Sequence, residues 1–198
     1  MEYLVTMTTH VPNGTPDQAV TDVRAREAAR SRELAAQGHL LRLWRPPLQP
    51  GEWRSLGLFA AADDAELEQE LASMPLRVWR SDEVTPLAPH PHDPALPAEA
   101  GASEFLTTFT ITIPDGTAAD TIGDVDALEA RRAKELAGQG LLQRLWHLPG
   151  GSRTLGLWRA RDEAQVRAAL ESLPMDRWMT VQITPLTQHP SDPAQGAQ

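Results

Sequence analysis

The chain has 198 residues, 41% of them hydrophobic and 23% charged, which fits one large or two small globular domains and excludes a disordered chain. It has no cysteine, which excludes disulfides, zinc–thiolate and iron–sulfur sites and thiol nucleophiles and agrees with an expected cytoplasmic location. Lys+Arg number 18 against 27 Asp+Glu, a formal net charge of −9, so no nucleic-acid partner is expected; with no long apolar run and no basic-then-apolar leader, no membrane partner is expected either.

Tyr3–Val11 alternates apolar and polar residues and predicts a strand, closed by the turn Pro12-Asn13-Gly14. A helix follows from Thr15-Pro16 to about Gln37, with Gly38 as its C-terminal stop. Leu40–Arg45 and Trp53–Phe59 predict two strands. Ala62–Ser73 predicts a helix opened by Asp63 or Asp64, and Val78–Leu87 a fourth strand. The order βαββαβ then repeats near Phe105–Ile113, Ala118–Gln139, Leu142–His147, Arg153–Trp158, Asp162–Ser172 and Trp178–Leu186.

The repetition is explicit in the residues. Leu34-Ala35-Ala36-Gln37-Gly38 returns 102 positions later as Leu136-Ala137-Gly138-Gln139-Gly140. Leu56-Gly57-Leu58-Phe59 and His90-Pro91 return 99 positions later as Leu155-Gly156-Leu157-Trp158 and His189-Pro190. The chain therefore divides into repeats at 1–94 and 104–193, a Pro/Ala-rich linker at 95–103 and a tail at 194–198. The expected fold class is α+β, two ferredoxin-like repeats pairing sheet to sheet as a pseudo-dimeric α/β barrel. Packed sheets of that kind are expected to enclose a cavity.

Helix phase singles out one carboxylate per half. Glu27 lies seven residues from Val20 and from Leu34, and Glu129 repeats the pattern with Ile122, Val125 and Leu136, so each sits in an apolar stripe. Such a carboxylate is costly unless neutral, paired or facing a cavity. It is then either a proton shuttle with a raised pKa or half of an ion pair with an arginine. Arg42, Arg144, Arg54 and Arg153 are candidate anion holders. Trp53, Trp44 and Trp146 are candidates for the substrate-binding wall. Thr6, Thr8 and His10 share one strand face, which lines a cavity or faces solvent. The histidines show no metal-ligand spacing, and phosphate loops and dinucleotide fingerprints are absent, so no metal or cofactor is called.

Glu27, Leu34, Gly38, Leu43-Trp44-Arg45, Met74-Pro75-Leu76 and His90-Pro91 together resemble the muconolactone Δ-isomerase family. Glu129, Gly140, Leu145-Trp146, Leu173-Pro174-Met175 and His189-Pro190 carry the same resemblance in the second half. The resemblance implies a ferredoxin-like fold and a cofactor-independent shift of a proton and a double bond in a small unsaturated lactone or enone. It places the family's helix carboxylate on Glu27 and Glu129, and it implies a homo-oligomer of fused pseudo-dimers. The family's aromatic–x–Asn segment reads Trp53-Arg54-Ser55 and Ser152-Arg153-Thr154 here, so each half loses the asparagine and gains an arginine. The alternatives are a cofactor-free cyclase, lyase or oxygenase acting on a polyketide-like or aromatic metabolite, and a non-catalytic small-molecule-binding barrel.

Overall fold

The computed structural model describes residues 1–96 and 103–195. Most of the expected linker, 97–102, lies outside the described residues, as does the end of the tail, 196–198.

Each repeat folds as βαββαβ. The first contains β1 (Glu2–Thr9), α1 (Asp17–Ala36), β2 (Leu40–Arg45), β3 (Arg54–Ala60), α2 (Asp64–Ser73) and β4 (Arg80–Pro89). The second contains β5 (Ser103–Ile111), α3 (Ala119–Gly138), β6 (Leu142–His147), β7 (Arg153–Ala160), α4 (Glu163–Glu171) and β8 (Met179–Gln188). The expected ferredoxin-like α+β class is therefore present in both halves. One difference concerns the fourth strand, which starts later than its apolar pattern predicted. Pro75–Trp79 instead forms a 3₁₀ turn, because Pro75 and the following apolar residues tuck Leu76 under α1.

The chain clusters into two compact units that do not follow the repeat boundaries. One comprises Met1–Leu87 with Thr187–Gln198, the other Ala88–Leu186. Within the first unit β1 lies antiparallel between β3 and β4, β3 pairs with β2, and the last residues of β8 pair with β2 through Trp44↔Gln188 and Arg45↔Thr187. Within the second unit β5 lies between β7 and β8, β7 pairs with β6, and the last residues of β4 pair with β6 through Ala88↔His147 and Pro89↔Trp146. Each unit thus borrows the segment that follows the other repeat's last strand.

The local chemistry explains the elements. Asp63 caps α2 by accepting from the backbone N–H groups of Ala65 and Glu66 at 3.0 and 2.9 Å, and Asp162 caps α4 by accepting from the Gln165 N–H at 2.8 Å. Gly38 follows α1 at φ +80°, where a side chain would be strained. Alternation then sorts β1. Tyr3, Val5 and Met7 are buried and pack with Leu34, Phe59, Leu67 and Leu71 between helices and sheet. The second unit repeats that core with Phe105, Phe109, Leu136 and Trp158. Gly57 and Gly156 sit where the Phe59 and Trp158 rings cross the strand: a Cβ would lie 2.4 Å from the Phe59 ring and 2.7 Å from Trp158 Nε1. That indole N–H donates to Thr107 Oγ1 at 2.8 Å, so the repeated Leu-Gly-Leu run makes room for a buried ring.

Candidate functional site

Each unit holds a cavity between its long helix and its sheet, closed by the borrowed segment. The cavity lies there because the helix stripe carries Glu27 or Glu129 where apolar packing would otherwise continue. The stripe of α1 is Val23, Glu27, Ser31 and Leu34. Residues 23, 27 and 31 recur one turn apart, so small and polar side chains stand over the sheet and leave space.

The first cavity has a volume of about 270 Å³ and is lined by Glu27, Trp53, Ser55, three arginines (Arg24, Arg45 and Arg80) and the borrowed His189. Glu27 Oε2 accepts from the backbone N–H of Leu76 at 2.8 Å, and Oε1 accepts from the Arg80 guanidinium at 3.0 Å. Arg80 also binds Asp82 at 2.6 Å. Burial pushes the Glu27 carboxyl above its usual range. The Leu76 N–H and Arg80 pull it back, and Asp82 pushes it up again. His189 is driven down to about 4 by burial and then by Arg45, with Arg24 adding to the effect. Its Nδ1 accepts from the Ser191 N–H at 3.1 Å, so the neutral ring carries its proton on Nε2 as a donor.

The second cavity has a volume of about 400 Å³, with Glu129, Asp126, His90, His147, Trp158 and Met179 among its lining residues. Glu129 Oε2 accepts from the backbone N–H of Met175 at 3.0 Å. No salt bridge to Glu129 occurs among the described residues. Burial raises its pKa, the Met175 N–H opposes that, and Asp126 and Asp176 add to it. Burial, followed by the neighbouring His147 and His92 rings, lowers His90 to about 4.

The sequence-derived candidates divide cleanly. Glu27, Glu129 and Trp53 line the cavities, and Arg24 lies 5.4 Å over the Trp53 ring. Arg42, Arg144, Trp44, Trp146, Arg54 and Arg153 do not. Strand alternation is the reason. Leu43 and Arg45 face the first cavity, so Arg42 and Trp44 take the opposite face of β2, where the guanidinium lies 4.9 Å over the indole. Arg144 repeats this over Trp146 at 4.7 Å. Trp53 and Ser55 face the cavity, so Arg54 between them turns out and meets Glu52 at 3.4 Å. Arg153 likewise stands exposed between Ser152 and Thr154. The arginines gained beside the altered aromatic–x–Asn segments therefore add no charge to either cavity wall. Alternation also decides between the two readings of β1: Met7 and Thr9 line the first cavity, while Thr6, Thr8 and His10 lie on the other face.

Arg24, Arg45, Arg80 and the borrowed histidines escaped the sequence reading as site residues. A missed signal was the aspartate two positions after each His-Pro pair, Asp93 and Asp192. Asp192 binds Arg42 and the Leu43 N–H, and Asp93 binds Arg144 and the Leu145 N–H, which seats His189 and His90 over the cavities.

His39, Glu66 and Glu70 offer ligand atoms within 4.8 Å of one another, a grouping that histidine spacing along the chain could not reveal. They lie away from both cavities; His39 Nδ1 sits 2.5 Å from Glu70 Oε1, and burial pushes the Glu70 carboxyl above its usual range. No helix among the described residues is long and apolar enough to cross a membrane.

The family model described as muconolactone delta-isomerase matches residues 1–93 and again 103–192. The muconolactone delta-isomerase of Cupriavidus pinatubonensis is 34% identical over 91 residues, covering 46% of this chain and 96% of that protein. Muconolactone delta-isomerase 1 of Acinetobacter lwoffii is 33% identical, covering 46% of this chain and 92% of that protein. Each of these relatives corresponds in length to about one half of the chain. A solved chlorite dismutase variant from Candidatus Nitrospira defluvii covers 94% of the chain and 91% of its own length at 11% identity with a TM-score of 0.61, a likeness of fold alone.

Proposed function

The chain belongs to the muconolactone delta-isomerase family, and from that premise we propose that it is an isomerase that moves a double bond within a small unsaturated lactone or enone without a cofactor, with Glu27 as proton shuttle. The observation that supports this most is the Glu27 carboxylate at the wall of a cavity that also holds three arginines and a neutral histidine donor. The ionised carboxylate takes a proton from the carbon at the far end of the conjugated double bond. The electron pair is delocalised onto the carbonyl oxygen as a dienolate, and the proton returns two atoms away on the carbon beside the carbonyl, which moves the double bond out of conjugation with it. Arg24 and Arg45 hold an acidic substituent or the developing oxyanion, and the His189 Nε2–H supplies a further donor. Arg80 and the Leu76 N–H keep the carboxylate aimed and available in spite of burial.

Glu129 holds the corresponding helix position in the second cavity, as a second candidate shuttle. The binding-only alternative is favoured by the Glu27–Arg80 pair at 3.0 Å, which would then be purely structural. Following muconolactone by proton NMR in deuterated buffer separates the readings. The expected result is double-bond migration with solvent exchange in the wild type, and a loss of about 10²-fold or more in Glu27→Gln with unchanged melting. Full activity in the Glu27→Gln/Glu129→Gln double variant would reject the mechanism. An inert wild type that still binds the lactone would favour the binding-only reading.

A further inference from the structure

The two cavities occupy the same place in each repeat but differ position by position. Where the first has Arg24, Arg45 and Arg80, the second has Asp126, His147 and Met179. All three cavity arginines are therefore gone, and no arginine or lysine lines the second cavity among the described residues. Asp82, the second partner of Arg80, is Val181 in the second repeat, so the pair has been deleted together rather than broken. Trp53 is replaced by Ser152, and removal of that indole accounts for much of the larger volume, about 400 against 270 Å³.

We propose that the second cavity is a separate binding site for an uncharged, unsaturated ring compound such as a neutral lactone or cyclic enone. An anionic ligand would enter beside Asp126 and Glu129 with no fixed cation to offset repulsion and desolvation. A cationic ligand is disfavoured as well. Asp126 is largely exposed and lies 3.8 Å from His92, and Glu129 is already hydrogen-bonded to Met175 in walls built from Phe109, Leu145, Trp158 and Leu173. A neutral ring with a carbonyl fits these walls. His90 Nδ1 accepts from the His92 N–H at 3.1 Å, which leaves Nε2–H as a donor for that carbonyl. This reading concerns binding, so it stands or falls independently of catalysis by Glu27.

Calorimetry on the full chain tests it with three ring probes: coumarin, which is neutral, coumarin-3-carboxylate, which is anionic, and N-methylquinolinium, which is cationic. Ala133→Leu fills the second cavity and Ala28→Leu the first. Coumarin is expected to lose at least tenfold in affinity in Ala133→Leu and to keep its affinity in Ala28→Leu; the carboxylate probe is expected to show the reverse. A third variant, His147→Arg/Met179→Arg, restores two cations and is expected to create a second site for the carboxylate probe, a gain that a misfolded chain cannot produce. The proposal is overturned if coumarin fails to bind, if Ala133→Leu leaves its affinity unchanged, if the quinolinium binds the second cavity more tightly, or if the restored arginines create no anion site.

Discussion

Arg42 on β2 and Asp192 in the C-terminal segment, 150 positions apart, form an ion pair that is 3% and 0% exposed at its two side chains. The guanidinium meets both carboxylate oxygens at 3.0–3.3 Å, and the same carboxylate accepts from the Leu43 N–H at 3.0 Å. The pair anchors the segment that carries His189. Its counterpart, Arg144 with Asp93, is more open at 19% and 12%. Asp192→Ala is expected to cost about 3–5 kcal/mol, because it removes the carboxylate that faces a buried guanidinium, and Asp93→Ala clearly less. Urea midpoints of the two variants measure the difference, and equal losses would contradict it.

Arg80 pulls the Glu27 carboxyl down against burial, so Arg80→Met removes a lowering influence and leaves the raising effect of Asp82. Glu27 then keeps its proton to higher pH. The ascending limb of the pH–rate profile, which reports ionisation of the base, is expected to move to higher pH, while the double variant Arg80→Met/Asp82→Val is expected to shift it less.

His90 and His189 are both lowered to about 4 from 6.5 in the folded chain. The unfolded chain therefore binds more protons than the folded one between those values, and folding stability is lost as pH falls from 6.5 through 4. His189→Gln is expected to flatten that part of the stability–pH curve. The raised carboxyl of Glu129 works oppositely: its contribution is full below 4.5 and is lost as pH rises, so Glu129→Gln is expected to gain stability at neutral pH. Denaturation at a series of pH values reads both slopes.

Gly156→Ala would press a methyl against Trp158 Nε1 and Thr107 Oγ1, each 2.7 Å away, and is expected to destabilise by about 1–3 kcal/mol. Gly123, inside α3 with nothing within 4 Å, is the control. Gly123→Ala is expected to stabilise by about 0.5–1 kcal/mol, because alanine loses less backbone freedom in a helix.

Self-association is expected from the family resemblance, and Val78, 75% exposed in the 3₁₀ turn, is an apolar side chain available for it. Light scattering is expected to give a multiple of 21.7 kDa; a single-chain mass at micromolar concentration would contradict this.

Much of this molecule is legible in its residue order. The repeat, the βαββαβ elements, a cap at Asp63 or Asp64 and the Gly38 stop all follow from periodicity and local backbone preference, which act within a few residues. Helix phase likewise put Glu27 and Glu129 on the inward stripe, since a seven-residue spacing fixes direction without reference to anything else in the chain. What sits opposite those carboxylates was decided only by tertiary structure. Arg80 reaches Glu27 from the start of β4, 53 positions on, while Met179 holds the equivalent position in the wall of the second cavity. Arg42 looked like a ligand holder because composition cannot tell which face of a bulged strand it occupies or that Asp192 will arrive from 150 residues away. Local pattern determines which side chains turn inward; which cation meets which carboxylate depends on where distant segments are brought together, and that is a property of the packed chain.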